Sequence, residues 1–188
     1  GEAVERGLQR LHSLKLPLAA RERRFAAYPD DIPPGGWLLS AVDKADPRPT
    51  TFDDGNILCI AKQYRPARAL LLHTKDDEMA RRARETKAQL TQHGCNAQLV
   101  GLDVEDPSDY GQLFNGFRSA VLGWLDRTPE AVKVPVLTNV TSGTSQMKLT
   151  LHLMVERGIL PDLRIQVREA TYVRSGEHRA RRVSLPLL

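Results

Sequence analysis

Val134-Pro135-Val136-Leu137-Thr138-Asn139-Val140 is an apolar run, and Thr141-Ser142-Gly143-Thr144-Ser145-Gln146-Met147 follows it directly. The run is short and mostly β-branched or aliphatic, which reads as a buried strand. The second stretch is a turn of small hydroxyl residues around one glycine. From Ser145 a helix can continue to 157, where Gly158 ends it. A strand, a tight polar turn and a helix in succession are one unit of an α/β sheet.

The same alternation extends outward. Towards the N-terminus the pattern predicts strands over 37–42, 69–73 and 97–102. Between them it predicts a helix over 53–64, with Ile57, Leu58, Ile60, Ala61 and Tyr64 on one face. A charged helix over 76–93 has Met79, Ala83 and Leu90 as inner positions and Gly94 at its end. A third helix over 109–126 carries Leu113, Phe117, Ala120, Val121 and Trp124 at spacings of three and four. Beyond the opening stretch, 163–167 reads as a fifth strand. Residues 183–187 offer a sixth, open to antiparallel pairing. Near-continuous apolar strands need cover on both faces. With right-handed crossovers the expected fold is α/β: a doubly wound, mostly parallel, Rossmann-like sheet with helices on both faces.

Residues 1–36 read apart from this domain of 37–188. Val4, Leu8, Leu11, Leu14 and Leu18 fall at helical spacing, Pro17 should end that helix, and a second short helix could cover 19–27. Between Arg6 and Arg24 lie Arg6, Arg10, Lys15, Arg21, Arg23 and Arg24 against Glu22 alone, and 28–36 is a Pro/Gly linker. This basic, helical N-terminal arm suits a solvated connector or a membrane-proximal position. The tail from Arg164 onward holds six arginines, read as solvated charge or as a link to another domain.

With 188 residues, 41% hydrophobic and 27% charged, the composition is that of a globular domain, and a net charge of +4 is too small for a DNA-coating protein. No apolar run reaches the ~18–20 residues of a membrane span. Cys59 and Cys95 lack metal spacing and read as two structural thiols in a reducing cytoplasm. No His/Cys/Asp cluster has metal spacing, and neither a P-loop nor the dinucleotide fingerprint is present. His73 and His152 read as structural.

In an open α/β sheet the ligand crevice lies beyond the carboxyl ends of the strands. At the end of the fourth strand, Asn139, Thr141, Ser142, Gly143, Thr144, Ser145, Gln146 and Met147 allow close backbone approach. They precede a helix N-terminus whose free N–H groups favour an anion. The alternative is plain capping of a strand–helix turn. At the end of the first strand come Ser40, Ala41, Val42, Asp43 and Lys44, with Lys44 and Arg48 able to neutralise phosphate. Thr74 and Lys75 stand at the end of the second.

These segments, with Asp54-Gly55-Asn56-Ile57-Leu58, Ala69-Leu70-Leu71-Leu72-His73-Thr74 and Leu163-Arg164-Ile165-Gln166-Val167-Arg168-Glu169, together resemble the CRISPR-associated Rossmann-fold (CARF) sensor domain. It is close to the version found in the sensors of RNA-repair transcription activators related to RtcR. It spans roughly Trp37 to Ala170. It implies a homodimer, or a higher oligomer of it, that binds a cyclic oligoadenylate across the two-fold axis, tetra-adenylate foremost. Such a sensor acts in type III CRISPR antiviral defence by controlling an effector in a larger protein. Carried over by position, the ligand-binding residues are Ser40, Ala41, Val42, Asp43, Lys44, Thr74, Asn139, Thr141, Ser142, Gly143, Thr144, Ser145, Gln146 and Met147. No cofactor is implied, and no catalytic residue.

Many family members carry lysine where this chain has Ser145, which argues against ring cleavage, although Lys148 lies one turn further on. A ring nuclease and the sensor of an RNA-repair activator are the alternative readings. The chain has no helix-turn-helix, so no direct DNA binding is expected. A membrane segment before Gly1 would set the domain on the cytoplasmic face of the inner membrane. An effector after Leu188 is the other arrangement.

Overall fold

The computed structural model describes residues 23–48, 54–169 and 178–183. Six strands form one sheet: β1 (Trp37–Ala41), β2 (Arg68–Thr74), β3 (Asn96–Leu102), β4 (Val136–Asn139), β5 (Arg164–Glu169) and β6 (His178–Arg182). Among the described residues four α-helices accompany them: α1 (Asn56–Tyr64), α2 (Asp77–Gln92), α3 (Tyr110–Arg127) and α4 (Ser145–Glu156). A 3-10 turn at Pro129–Lys133 precedes β4. The strand order is β3-β2-β1-β4-β5-β6, parallel throughout except for the antiparallel β5–β6 pair. This is the doubly wound, Rossmann-like arrangement.

Side chains alternate across the sheet and build a core on each face. Leu39, Ala41, Leu70 and Leu72 face Phe117, Val121 and Trp124 of α3 and Leu151 and Met154 of α4. Leu38, Leu71, Ala69 and Ile165 face Ile57 and Ile60 of α1 and Ala83 and Leu90 of α2. The central strands β1 and β4 are buried along their whole length.

Three sequence expectations need correction. A sixth strand, not expected from the sequence, is His178–Arg182; of the predicted 183–187 only Val183 is described, and it donates its N–H to the Arg164 carbonyl at 2.8 Å. One inward residue, Ala180, suffices for an edge strand, whereas the apolar run after it drew the prediction. Residues 184–188 lie outside the described residues. Within 23–27 there is no helix. Instead Phe25 packs against the α3–α4 core, the Ala26 N–H bonds to the Val132 carbonyl at 2.9 Å, and Arg23 pairs with Asp126. The helix expected over 4–18 also lies outside the described residues. Finally, Arg164 is not solvated charge. It is 2% exposed, held by Asp162 at 2.9 Å and Glu156 at 2.7 Å.

Candidate functional site

The direction in which successive strands are added to the sheet reverses between β1 and β4, which run parallel. One crossover leaves β1 for β2 on one side, and β4 returns on the other. The loops after these two strands therefore part at their carboxyl ends and leave a crevice. A cavity of about 510 Å³ opens there. Val42, Asp43, Lys44 and Ala45 line it from the β1 loop, and Gly143, Thr144 and Met147 from the β4 loop. Thr74 contributes from the end of β2, Asp76, Glu78 and Met79 from the start of α2, and Pro107 from the loop before α3.

Hydrogen bonds between residues far apart in sequence hold the two loops together. The Gly143 N–H donates to Asp43 Oδ2 at 2.7 Å, and the Ala45 N–H donates to Asp43 Oδ1 at 2.7 Å. Ser142 donates its hydroxyl to Asp46 Oδ2 at 2.6 Å. The Asn139 amide donates to both Ser40 Oγ and Ser142 Oγ at 2.9 Å, and its Oδ1 accepts from the Thr141 N–H. Thr141 Oγ1 accepts from the Val167 N–H at 2.8 Å, which joins the loop to β5. Arg82 of α2 reaches the Lys44 carbonyl at 2.9 Å and secures the β1 loop from the other side.

Asp46 is the hub of this network and is 1% exposed. The helix α1 begins at Gly55, which has no side chain to cap it, so Asp46 Oδ1 accepts the Ile57 N–H at 2.9 Å instead. Gly55 is what lets the loop come so close. A Cβ there would lie 2.5 Å from the Ala45 carbonyl oxygen and 2.9 Å from Asp46 Oδ1. Burial pushes the Asp46 carboxyl up to about 7, and the neighbouring Asp43 charge adds to the rise. The bonds from Ile57 and Ser142 act in the opposite direction.

Not all the expected site residues reach the cavity. Val42, Asp43, Lys44, Thr74, Gly143, Thr144 and Met147 line it. Ser40, Ala41, Asn139 and Ser142 are fully buried and shape the loops from beneath. Thr141 serves the β5 joint. Ser145 and Gln146 form the first turn of α4 beside the cavity. Thr144 is the N-cap of that helix and accepts the Met147 N–H at 3.2 Å. The N–H groups of Ser145 and Gln146 have no partner within the helix, as at any helix start. Arg48 is not among the lining residues, and Lys75 turns to Asp103 at 3.5 Å.

The sequence reading missed Asp46, Asp76, Glu78, Met79 and Pro107. Asp76 had a visible signal: an Asp just before a helix, after the end of a strand. It caps α2, accepting the Met79 N–H at 3.0 Å, and the Thr74 hydroxyl bonded to it holds its carboxyl below the usual range. Met79, expected in the α2 core, lines the cavity, and Thr86 takes an inner position instead.

The lining thus combines the apolar side chains of Val42, Met79, Pro107 and Met147 with the acids Asp43, Asp76 and Glu78, the cation Lys44 and the start of α4. The apolar side chains suit a flat apolar group, the carboxylates accept hydrogen bonds, and an anion finds its favourable partners at Lys44 and the start of α4. Among the described residues, no group of three His, Cys, Asp or Glu side chains could hold a metal ion, and no helix is long and apolar enough to cross a membrane.

No family model matches this chain, and no curated protein matches it. Solved structures do share its fold. Csm6 of Enterococcus italicus, solved bound to cyclic hexa-2'-fluoro-hexa-dAMP, is 23% identical with a TM-score of 0.59, over 73% of this chain and 34% of that one. Protein VC1899 of Vibrio cholerae is 10% identical with a TM-score of 0.50, over 71% of this chain and 30% of that one. Can2 of Sulfobacillus thermosulfidooxidans, solved with cyclic tetra-adenylate, is 16% identical with a TM-score of 0.43, over 77% and 37%. The chain spans about a third of the length of these proteins, and the likeness to the first two is one of fold.

Proposed function

We propose that this chain is a CARF-type sensor domain that binds a cyclic oligoadenylate, with tetra-adenylate the expected ring, across the two-fold axis of a homodimer. The observation that carries this reading is the cavity between the β1 and β4 loops. Its lining offers Val42, Met79, Pro107 and Met147 to a base, and Lys44 and the start of α4 to phosphate. The fold shared with Csm6, a protein solved with a cyclic hexanucleotide, supports the ligand class. A cyclic oligonucleotide of even size has two-fold symmetry, so an isologous dimer offers it each loop twice. Leu149 and Leu153, 45% and 38% exposed and one turn apart on α4, suit the dimer contact, since they continue from the cavity's own helix. The bound ring would then bias an attached effector in type III CRISPR defence, and the basic stretch near Gly1 suits a membrane-proximal one.

Isothermal titration with cyclic tri-, tetra- and hexa-adenylate, with linear oligoadenylate as control, tests this reading. The expected result is one ring per dimer and no heat from the linear control. Absence of heat from every ring would overturn the proposal. Thr144→Glu should abolish binding while the chain stays folded. A carboxylate at the start of α4 suits the helix dipole but occupies the anion position. Wild-type affinity in that variant would remove α4 from the site. The double change Leu149→Glu and Leu153→Glu should give a monomer by light scattering and no ring binding. An intact dimer would place the interface elsewhere.

A further inference from the structure

The outer strand β3 and the helix α3 form a second groove, of about 650 Å³. Val100 and Leu102 line it from β3, and Gly116, Ser119, Ala120 and Gly123 from α3. Asp103 stands at the end near the start of α3, and Arg127 at the other. Among the described residues β3 pairs with β2 alone, and proteins commonly cover such an edge with a helix or a loop.

Glycine inside a helix weakens it. At Gly123 a Cβ would meet only the flexible end of Arg127, at 3.3 Å. At Gly116 it would make ordinary contacts with Val104 at 3.4 Å and Leu102 at 3.8 Å. No described residue therefore demands glycine at either position. A helix lying in the groove would, because two helices approach more closely where the residues between them are small.

The chain itself supplies an occupant. Residues 1–22 lie outside the described residues, but Arg23, where the description begins, pairs with Asp126 of α3. Asp126 follows Gly123 by three positions, so the two share one side of the helix. The segment before Arg23 therefore starts at the Arg127 end of the groove. Val4, Leu8, Leu11 and Leu14 fall at helical spacing ahead of Pro17. A helix over 4–16 would be about 20 Å long, and the groove from Gln112 to Arg127 runs about 22 Å. Residues 17–22 can reach about 20 Å, enough to pass from Asp126 into the groove. So short a helix is marginal alone in water, and its apolar face needs cover. The charges agree. Residues 6–16 hold Arg6, Arg10 and Lys15 and no acid, whereas Asp103, Glu105, Asp106 and Asp109 lie together by the far end.

We propose that residues 4–16 dock in the groove between β3 and α3 as an amphipathic helix antiparallel to α3. The arm then covers the β3 edge of its own domain.

Hydrogen exchange of the whole chain, read at the backbone amides of 4–16, tests this. These amides should exchange about tenfold or more slowly than in a free peptide of residues 1–22. Ser119→Trp with Gly123→Leu fills the groove, and Leu8→Asp with Leu11→Asp removes the apolar face. Each double variant should return 4–16 to the rate of the peptide, while the amides of 70–72 stay protected and report an intact sheet. Dilution of the unchanged chain should alter nothing. Three results would each overturn the proposal: peptide-like exchange in the unchanged chain, protection that survives the filled groove, or protection lost on dilution. The last would assign the groove to the arm of a second copy.

Discussion

Asp46→Ala should lower the unfolding free energy by about 2–5 kcal/mol, because it strands two buried donors at once. The Ile57 N–H loses the acceptor that caps α1, and the Ser142 hydroxyl loses its carboxylate. Asp46→Asn keeps an oxygen for Ile57 and should lose least. The same residue sets a pH dependence. Its carboxyl titrates near 3.8 when unfolded and at about 7 in the folded chain. Between those values the folded state holds a proton that the unfolded state releases, so stability falls as pH rises from about 4 to about 7. His152 works in the opposite direction below its ordinary value of 6.5, since burial and then Arg164 push its pKa down. The difference between the wild-type chain and Asp46→Asn, followed by urea unfolding at about pH 5 and about pH 8, isolates the carboxyl. An identical pH response in both would mean that Asp46 is ionised in the folded state throughout.

Gly143→Val should be nearly as damaging, at about 2–5 kcal/mol, and should also close the cavity. Gly143 has φ +101°, a conformation that β-branched residues strongly avoid. A Cβ on it would stand 3.1 Å from the Ala41 Cβ and 3.1 Å from the Met147 Cβ. Both neighbours are buried, so neither can move away cheaply. Gly158→Val is the control. Its φ is +71°, and a Cβ there meets nothing within 4 Å. Urea midpoints of the two variants should differ clearly. Equal losses would mean that backbone conformation alone, and not the close approach of the two loops, demands glycine at 143.

The layered fold was legible because each inner strand is a short apolar run and each helix an amphipathic one. Trp37 through Ala41 has no outward position at all, and only a sheet covered on both faces gives a strand that pattern. The β6 strand was misplaced for the same reason. His178–Arg182 turns a single small apolar residue inward, so hydrophobicity could not mark it. The site was half legible. Its small residues at the strand ends were visible, but the sequence could not tell a residue that lines the cavity from one that supports it. Asn139 and Ser40 looked like ligand contacts and are instead bonded to each other in the interior. Asp46 was passed over because its importance comes from Ile57 and Ser142, one eleven residues away and the other ninety-six. No local pattern records such a partnership.

The bonds that close the cavity join Asp43 to Gly143, Ser142 to Asp46 and Asn139 to Ser40, across 100, 96 and 99 residues. This separation has a consequence for the chain as it is made. The first half of the cavity lining leaves the ribosome long before the second. At about 5–20 residues per second, roughly 5–20 s of translation separate them. Throughout that interval β1 lacks the neighbour that defines its loop, and Asp46 has no Ser142 to meet. The cavity between the β1 and β4 loops comes into being only after synthesis has passed β4, so a truncated or stalled chain lacks it.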